Sequence, residues 1–257
     1  MKRLKDKVIV IAGGGGIGNA LARRYALEGA CVVIGDNHLD RGEANAKAIA
    51  AEGGEACAIR LDGTDEASIE AVVALAVARY GGLDGLHANF ALLSVAREDS
   101  NAVDIPLEVY DRTMAVNARG FLLCTRHAVP AMIARGGGAL VYTSSIAAHT
   151  GDAALVAYSM SKAAVHALMR HVARMWGPQG IRANAIAPGM VRTEAWDAIP
   201  PDYVKQMQSV GLAKAAIKSR VALPADIASV GTLLLSDEGA YITGQVISVD
   251  GGTTMLP

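Results

Sequence analysis

Residues 7–18 read KVIVIAGGGGIG: an apolar, β-branched run, four consecutive glycines, Ile17 and a fifth glycine, from which the helix-forming stretch GNALARRYALEG sets out. Strand, tight turn and helix in that order make the first half of a βαβ unit. Small residues in such a turn let the backbone approach a pyrophosphate, and the helix that opens next offers unpaired N–H groups and the positive end of its dipole. Two registers fit. Gly13, Gly15 and Gly18 match G-x-G-x-x-G, while Gly13, Gly16 and Gly18 match G-x-x-G-x-G, so spacing leaves the choice open. A glycine-rich turn alone is also found as a mere tight connection. The strand before it and the helix after it favour a phosphate cradle built from Gly13, Gly15, Gly16, Ile17 and Gly18.

The same alternation continues along the chain. ACVVIGD precedes DRGEANAKAIAAEGG, and EACAIRLD precedes DEASIEAVVALAVARYGG; LDGLHANF, GALVYTSS, GIRANAIAP and QVISVDG read as four more strands. Between them, PLEVYDRTMAVNARGFLLCTRHAVPAMIARG reads as one or two helices and the segment around Tyr158 as another. This pattern predicts an α/β chain, a single-domain Rossmann fold over residues 1–257 with a doubly wound seven-stranded parallel sheet flanked by helices. From Arg192 to about Val221 the sequence carries two prolines and no strand pattern. An insertion after a strand's carboxyl end is predicted to be a substrate lid, because ligands bind at that edge of a parallel sheet.

Composition narrows the partners. Of 257 residues, 52% are hydrophobic but only 4% aromatic, so the core is expected to be mostly Ala, Val, Ile and Leu. Lys and Arg number 24 against 25 Asp and Glu, for a formal charge of -1, with no basic run long enough to follow a nucleic acid. The apolar stretch Val8–Ala12 is too short for a secretory leader, and no segment is long enough to cross a bilayer. Cys31, Cys57 and Cys124 are far apart and odd in number, which reads as buried apolar thiols in a reducing compartment; a cytoplasmic location is expected, and no metal site.

Asp36 ends the second strand, eighteen residues after Gly18. A carboxylate there accepts both hydroxyls of an adenosine ribose and repels a 2′-phosphate, so NAD is predicted over NADP. The competing reading, an N-cap for the next helix, suits Asp40 better. Asp62, ending the third strand, is placed either to cap the helix opening near Asp65 or to receive an adenine amine.

Tyr158 and Lys162 are four residues apart in AYSMSKAAVHALMRHVARMW, on one face of a helix. A phenol titrates near 10 unaided. A cation beside it favours the anion and makes a proton-transfer group usable at neutral pH. Ser144 and Ser145 close an apolar strand, where a hydroxyl can hold a substrate oxygen.

At this point the chain resembles the short-chain dehydrogenase/reductase family over essentially its whole length. The resemblance rests on Ser145, Tyr158-x-x-x-Lys162, Asn117 in AVNARGF, Asn89 in HANFA, PGMVRT at Pro188–Thr193 and VDGG at Asp250–Gly252. It implies a nicotinamide-dependent oxidoreductase in which Tyr158 exchanges the proton, Ser145 stabilises the reacting oxygen, Lys162 also binds the nicotinamide ribose and Asn117 links that lysine to solvent through a water. It further implies that Asn89 braces the sheet beside the cofactor, and that Pro188, Gly189, Val191 and Thr193 hold the carboxamide. The chain departs from the family pattern at Ala12, where threonine is usual, in a glycine turn one residue shorter, and at Ala88-Asn89-Phe90-Ala91, where Asn-Asn-Ala-Gly is usual.

By the same analogy Phe90, Leu92, Ile146, His149, Leu155, Met190, Trp196, Tyr203 and Met207 are expected near the substrate mouth. Their mostly apolar character points to a hydrophobic cyclic or aryl secondary alcohol, interconverted with its ketone. The rival readings are an NADP-dependent 3-oxoacyl carrier-protein reductase and a non-catalytic cofactor-binding protein on the same fold. A homotetramer is implied, packed through the helix around Gly120 to Ala134 and the Tyr158 helix.

Overall fold

The computed structural model describes residues 2–255. Seven parallel strands, β1 (Val8–Ala12), β2 (Cys31–Asp36), β3 (Glu55–Arg60), β4 (Gly85–Ala88), β5 (Gly138–Thr143), β6 (Ile181–Pro188) and β7 (Val246–Val249), form one sheet in the order β3-β2-β1-β4-β5-β6-β7. The order reverses between β1 and β4, so the crevice at their carboxyl ends lies at the topological switch point, the expected ligand position in an open α/β sheet.

Side chains alternate across the sheet, and each face has its own core. Val8, Val10 and Ala12 join residues of α3 (Glu66–Tyr80), α5 (Gly120–Arg135) and α6 (Val156–Trp176) on one side. Ile9 and Ile11 join residues of α1 (Ile17–Leu27), α2 (Leu39–Ala51) and α8 (Pro224–Leu235) on the other. Burial on both faces is why β1 reads VIVIA with no polar residue.

Several helix ends differ from the sequence reading. The N-cap of α2 is His38, and Asp40 lies in the first turn beyond it, where its charge suits the helix dipole. Asp65, not Asp62, caps α3, its carboxylate accepting Ala67 N at 3.1 Å. Between α4 (Leu107–Met114) and α5 the chain makes one π-helical turn, Ala115–Arg119, which contains the buried Asn117. The 192–221 segment is largely helical: a short 3-10 turn at Glu194–Ala198, then α7 (Pro201–Lys214). It is tied down at its base, where Ala216 N and Ile217 N both donate to Gly251 O and Val191 bridges to Ala222.

Candidate active site

The structure resolves the glycine register. Gly13 has φ 104 and Gly16 φ 54, both in the left-handed region, and a Cβ on Gly18 would fall on the carbonyl of Gly13. Gly15 has no such constraint, since a Cβ there would meet only the flexible guanidinium of Arg41. Gly13, Gly16 and Gly18 are therefore the members of the two registers at which the backbone itself calls for glycine. Gly16 is also the N-cap of α1, which points its first turn at the crevice. Asn89, just past the end of β4, is tied to this turn, its Nδ2 donating to Gly13 O at 3.0 Å.

A cleft of about 690 Å³ runs from this turn over the switch point, with Asp36 and Asp62 at one end and Tyr158, Lys162 and Thr193 at the other. Asp36 is 2% exposed and already engaged: it accepts His38 N at 2.8 Å and Arg41 Nη2 at 2.6 Å. Asp62 accepts both the amide and the hydroxyl of Thr64, and these bonds hold its carboxyl below the usual range. Thr193 faces Gly16 across the cleft, 3.4 Å from where a Cβ on that glycine would stand. Pro188 ends β6, Gly189 N donates to Val249 O, and Val191 bridges to Ala222, so this segment is pinned to β7 and to the chain just before α8.

Tyr158 and Lys162 share one face of α6, with Lys162 Nζ 5.7 Å from the centre of the phenol ring. The expected acidifying contact takes a different form. Lys162 is 1% exposed, donates to Thr143 O at 2.8 Å and lies over the Phe121 ring; burial alone brings its pKa down to about 7. Burial raises the Tyr158 phenol, and the side chain that lowers it is Ser145. Ser145 itself is placed by the turn it caps, its Oγ accepting Ala147 N at 3.2 Å.

Asn117 is fully buried with both ends of its amide committed: Oδ1 accepts Leu92 N at 2.8 Å and Nδ2 donates to Ser161 Oγ at 3.1 Å. Its side chain thus bonds the loop after β4 and the second turn of α6.

A second cavity, of about 520 Å³, opens on the other side of the phenol under α7 and the chain after β7. Ser145, Ile146, Leu155 and Met190 line it, as do Val210 and Leu212 from α7 and Ile217 from the chain after it. Other residues expected at this wall are elsewhere. Phe90 and Leu92 border the first cleft, and the Phe90 ring packs edge-on against Phe121 over Gly63 and Gly120, which leave room for it. His149 lies tilted against His166, Trp196 is the buried residue of the Glu194–Ala198 turn, and Tyr203 and Met207 lie on α7 outside the cavity lining. Among the described residues Tyr158 alone lines both spaces.

Residues 11–254 match the family model described as Enoyl-(Acyl carrier protein) reductase. The chain is 41% identical over 260 residues to the Bradyrhizobium diazoefficiens protein named "Probable short-chain type dehydrogenase/reductase", covering 98% of this chain and 89% of that one. This chain belongs to the short-chain dehydrogenase/reductase family. As a member it is an oxidoreductase of a nicotinamide-binding family. It is also 35% identical over 251 residues to 2,5-dichloro-2,5-cyclohexadiene-1,4-diol dehydrogenase of Sphingobium indicum, covering 97% of each. Among solved structures, 7α-hydroxysteroid dehydrogenase complexed with NADH and 7-oxo glycochenodeoxycholic acid superposes with TM-score 0.88 at 30% identity, covering 98% of this chain and 95% of that one.

This short-chain dehydrogenase/reductase also carries a buried polar chain that sequence reasoning did not find. Asn89 Nδ2 donates to Gly13 O, so Asn89 Oδ1 is left to accept the Thr143 hydroxyl at 2.9 Å. With its hydrogen spent, Thr143 Oγ1 accepts from His87 Nε2 at 2.9 Å, and His87 Nδ1 then accepts from the fully buried Tyr25 hydroxyl at 2.7 Å. The network thereby assigns one tautomer to His87 and one direction to every bond. Burial pushes the His87 pKa down to about 3, so the imidazole is neutral.

Proposed function

We propose that this protein interconverts a hydrophobic cyclic or aryl secondary alcohol and its ketone by hydride transfer, with NAD as its cofactor. The observation that carries the reading is the position of Tyr158 between the cleft of the glycine turn and the second cavity. A dinucleotide laid along the first and an alcohol held in the second meet only at that phenol.

The residues fit the cofactor. Gly13, Gly16 and Gly18 leave space that a Cβ or an ordinary backbone would not, and the α1 N-terminus beyond them suits a pyrophosphate. Asp36, at the end of β2, would accept from the adenosine ribose and Asp62 would flank the adenine; Asn89 and Thr193 would hold the remaining length, with Pro188, Gly189 and Val191 fixing the segment that carries Thr193. A bound nicotinamide would supply the hydride acceptor for oxidation of the alcohol and the hydride donor for reduction of the ketone. Tyr158 Oη takes the hydroxyl proton in oxidation and gives it back in reduction. Ser145 Oγ orients the reacting oxygen and steadies its partial charge. Lys162 would bind the nicotinamide ribose, and Asn117 keeps the second turn of α6 in register so that lysine and tyrosine stay on one side.

Charge in the second cavity supports a neutral substrate. Its cations are paired: Lys214 with Asp152 at 3.5 Å, and Arg220 with both oxygens of Asp226 at 2.6 and 2.9 Å. Among the described residues no unpaired cation lines the cavity, and the rest of its wall is mostly apolar, with Ser145, Ser219, Thr253 and Asp250 among its polar groups. The cyclic diol named for one relative is a neutral compound of this kind, and the 7-oxo steroid acid bound in a solved relative shares its cyclic frame though not its neutrality.

Arg41 favours a second reading. Its guanidinium sits beside Asp36 over Gly15, within reach of a 2′-phosphate, as an NADP-dependent 3-oxoacyl carrier-protein reductase would want. Steady-state rates with NAD and NADP, over cyclic, aromatic and steroidal alcohols and a 3-oxoacyl thioester, separate the two. The account expects NAD with a cyclic or aryl alcohol to be fastest; a faster rate with NADP and the thioester would replace it.

A homotetramer belongs to the same proposal. Val103, Leu107, Leu122 and Met160 are exposed on and beside α4, α5 and α6, an apolar face suited to a second copy. Light scattering at the tetramer mass is expected, and a monomer would contradict it.

A further inference from the structure

We propose that Asp99, in the loop between β4 and α4, is a positioning residue that holds Tyr158 in place by clamping its peptide from outside the helix. Asp99 is 2% exposed, and its carboxylate takes two N–H groups at the start of α6: Ala157 N to Oδ1 at 2.9 Å and Tyr158 N to Oδ2 at 2.8 Å. Its main-chain oxygen accepts Leu155 N at 2.8 Å. Leu155, the N-cap of α6, has φ 63, a left-handed conformation costly for a leucine, and brings no side-chain cap of its own. The helix that bears the phenol is therefore capped by a carboxylate from fifty-odd residues upstream.

The charge of Asp99 argues that this is more than filling. Among the described residues no Lys, Arg or His side chain pairs with it. A buried carboxylate without a cation is costly, and here it is offset by two aligned N–H groups and the positive end of a helix of 21 residues. The first turn of a helix frays most readily, and Tyr158 is the third residue of this one. Lys162, one turn further on, is held independently by Thr143 O.

The other side of the Tyr158 peptide is held by the same loop. Its carbonyl accepts Ser161 Oγ at 2.7 Å, that hydroxyl accepts from Asn117 Nδ2, and Asn117 Oδ1 accepts Leu92 N. Residues 92–99 thus reach Tyr158 twice, through Asn117 to its C=O and through Asp99 to its N–H. The loop that borders the cofactor cleft at Leu92 also fixes the height of the phenol.

The proposal rests on Tyr158 being the acid–base group, and its test keeps the two apart. Asp99→Ala, Asp99→Asn and Tyr158→Phe are made in the full chain. NADH binding is read by fluorescence, amide exchange over 156–160 by mass spectrometry, and turnover with the alcohol found fastest in the comparison above. Asp99→Ala is expected to speed exchange at 156–160 about tenfold or more, to leave exchange in 165–176 and NADH affinity within about twofold, and to lower kcat about 10- to 100-fold with KM little changed. Asp99→Asn keeps one acceptor and is expected to fall between Asp99→Ala and the parent. Unchanged exchange at 156–160 in Asp99→Ala would overturn the proposal even if no alcohol were turned over. So would a kcat within about twofold of the parent while Tyr158→Phe is inactive, or a loss of NADH binding that matches the loss of turnover. Full activity in Tyr158→Phe would instead remove the acid–base reading and leave the exchange result standing as evidence of the clamp.

Discussion

The carbonyl oxygen of Thr143 accepts Lys162 Nζ at 2.8 Å, while the hydroxyl of the same threonine donates to Asn89 Oδ1. One residue of β5 therefore ties the buried lysine to the residue that braces the glycine turn. Lys162 titrates near 7 in this setting against an ordinary 10.5, so the folded protein releases a proton that the unfolded chain still holds between those values. Stability is expected to rise as pH goes from 7 to 8.5, because the unfolded state binds more protons there. Lys162→Met should flatten that rise and abolish most turnover; denaturant titrations at pH 7 and 8.5 read the first effect, and an equal pH slope in variant and parent would refute it.

His87 works in the opposite pH range. Burial lowers its pKa from 6.5 to about 3, and that of His166, which bonds Ser144, to about 4. The unfolded chain takes up protons below 6.5 that the folded protein refuses, so stability is lost as pH falls from 6.5 toward 4. His87→Gln, which keeps one donor and one acceptor, is expected to reduce that loss.

Removing the imidazole outright leaves the Tyr25 hydroxyl without its buried acceptor and Thr143 Oγ1 with only its bond to Asn89. His87→Leu should cost about 2–4 kcal/mol, and His87→Leu with Tyr25→Phe should recover part of it, since an unpaired buried group costs more than an apolar pair. Thermal unfolding of the single and double variants checks this.

The glycines are expected to separate sharply. Gly18→Ala drives a methyl into the Gly13 carbonyl and should cost most of the NADH affinity, at least about 100-fold. Gly15→Ala meets only the end of the Arg41 side chain, which can swing away, and should stay within about threefold. Equal losses in the two would mean the register is wrong.

Cofactor preference is expected to depend on the Asp36–Arg41 pair. Asp36→Asn should narrow the preference for NADH over NADPH about tenfold or more, and Arg41→Ala should widen it, because one removes the charge that repels a 2′-phosphate and the other a cation that attracts it. Binding titrations with both reduced cofactors give the ratio directly.

Much of this architecture was legible in sequence because it is written in short-range patterns. Seven apolar runs mark seven strands, and Tyr158, Lys162 and Ser145 announce themselves by helical spacing and by the end of a strand. Four adjacent glycines could not reveal their register, since only φ angles and the approach of Gly13 O to Gly18 distinguish them. α8 was not anticipated, although Pro224 in its first turn and Asp226 accepting Leu223 N are ordinary helix-start signals. The Tyr25–His87–Thr143 chain joins residues 62 and 56 positions apart, and Asp99 caps a helix 58 residues away; only the fold brings such partners together. Phe90 was misplaced because its destination is the space left by Gly63 and Gly120, which no local pattern reports.

One phenol, set between two cavities, is expected to move the proton while a nicotinamide takes the hydride. The most direct measurement follows reduced-cofactor absorbance during oxidation of the fastest alcohol by the parent and by Tyr158→Phe, alongside NADH binding to each. The account expects turnover to fall at least about 1,000-fold with NADH affinity within about threefold. Turnover retained within about tenfold of the parent, with the cofactor still bound, would contradict it.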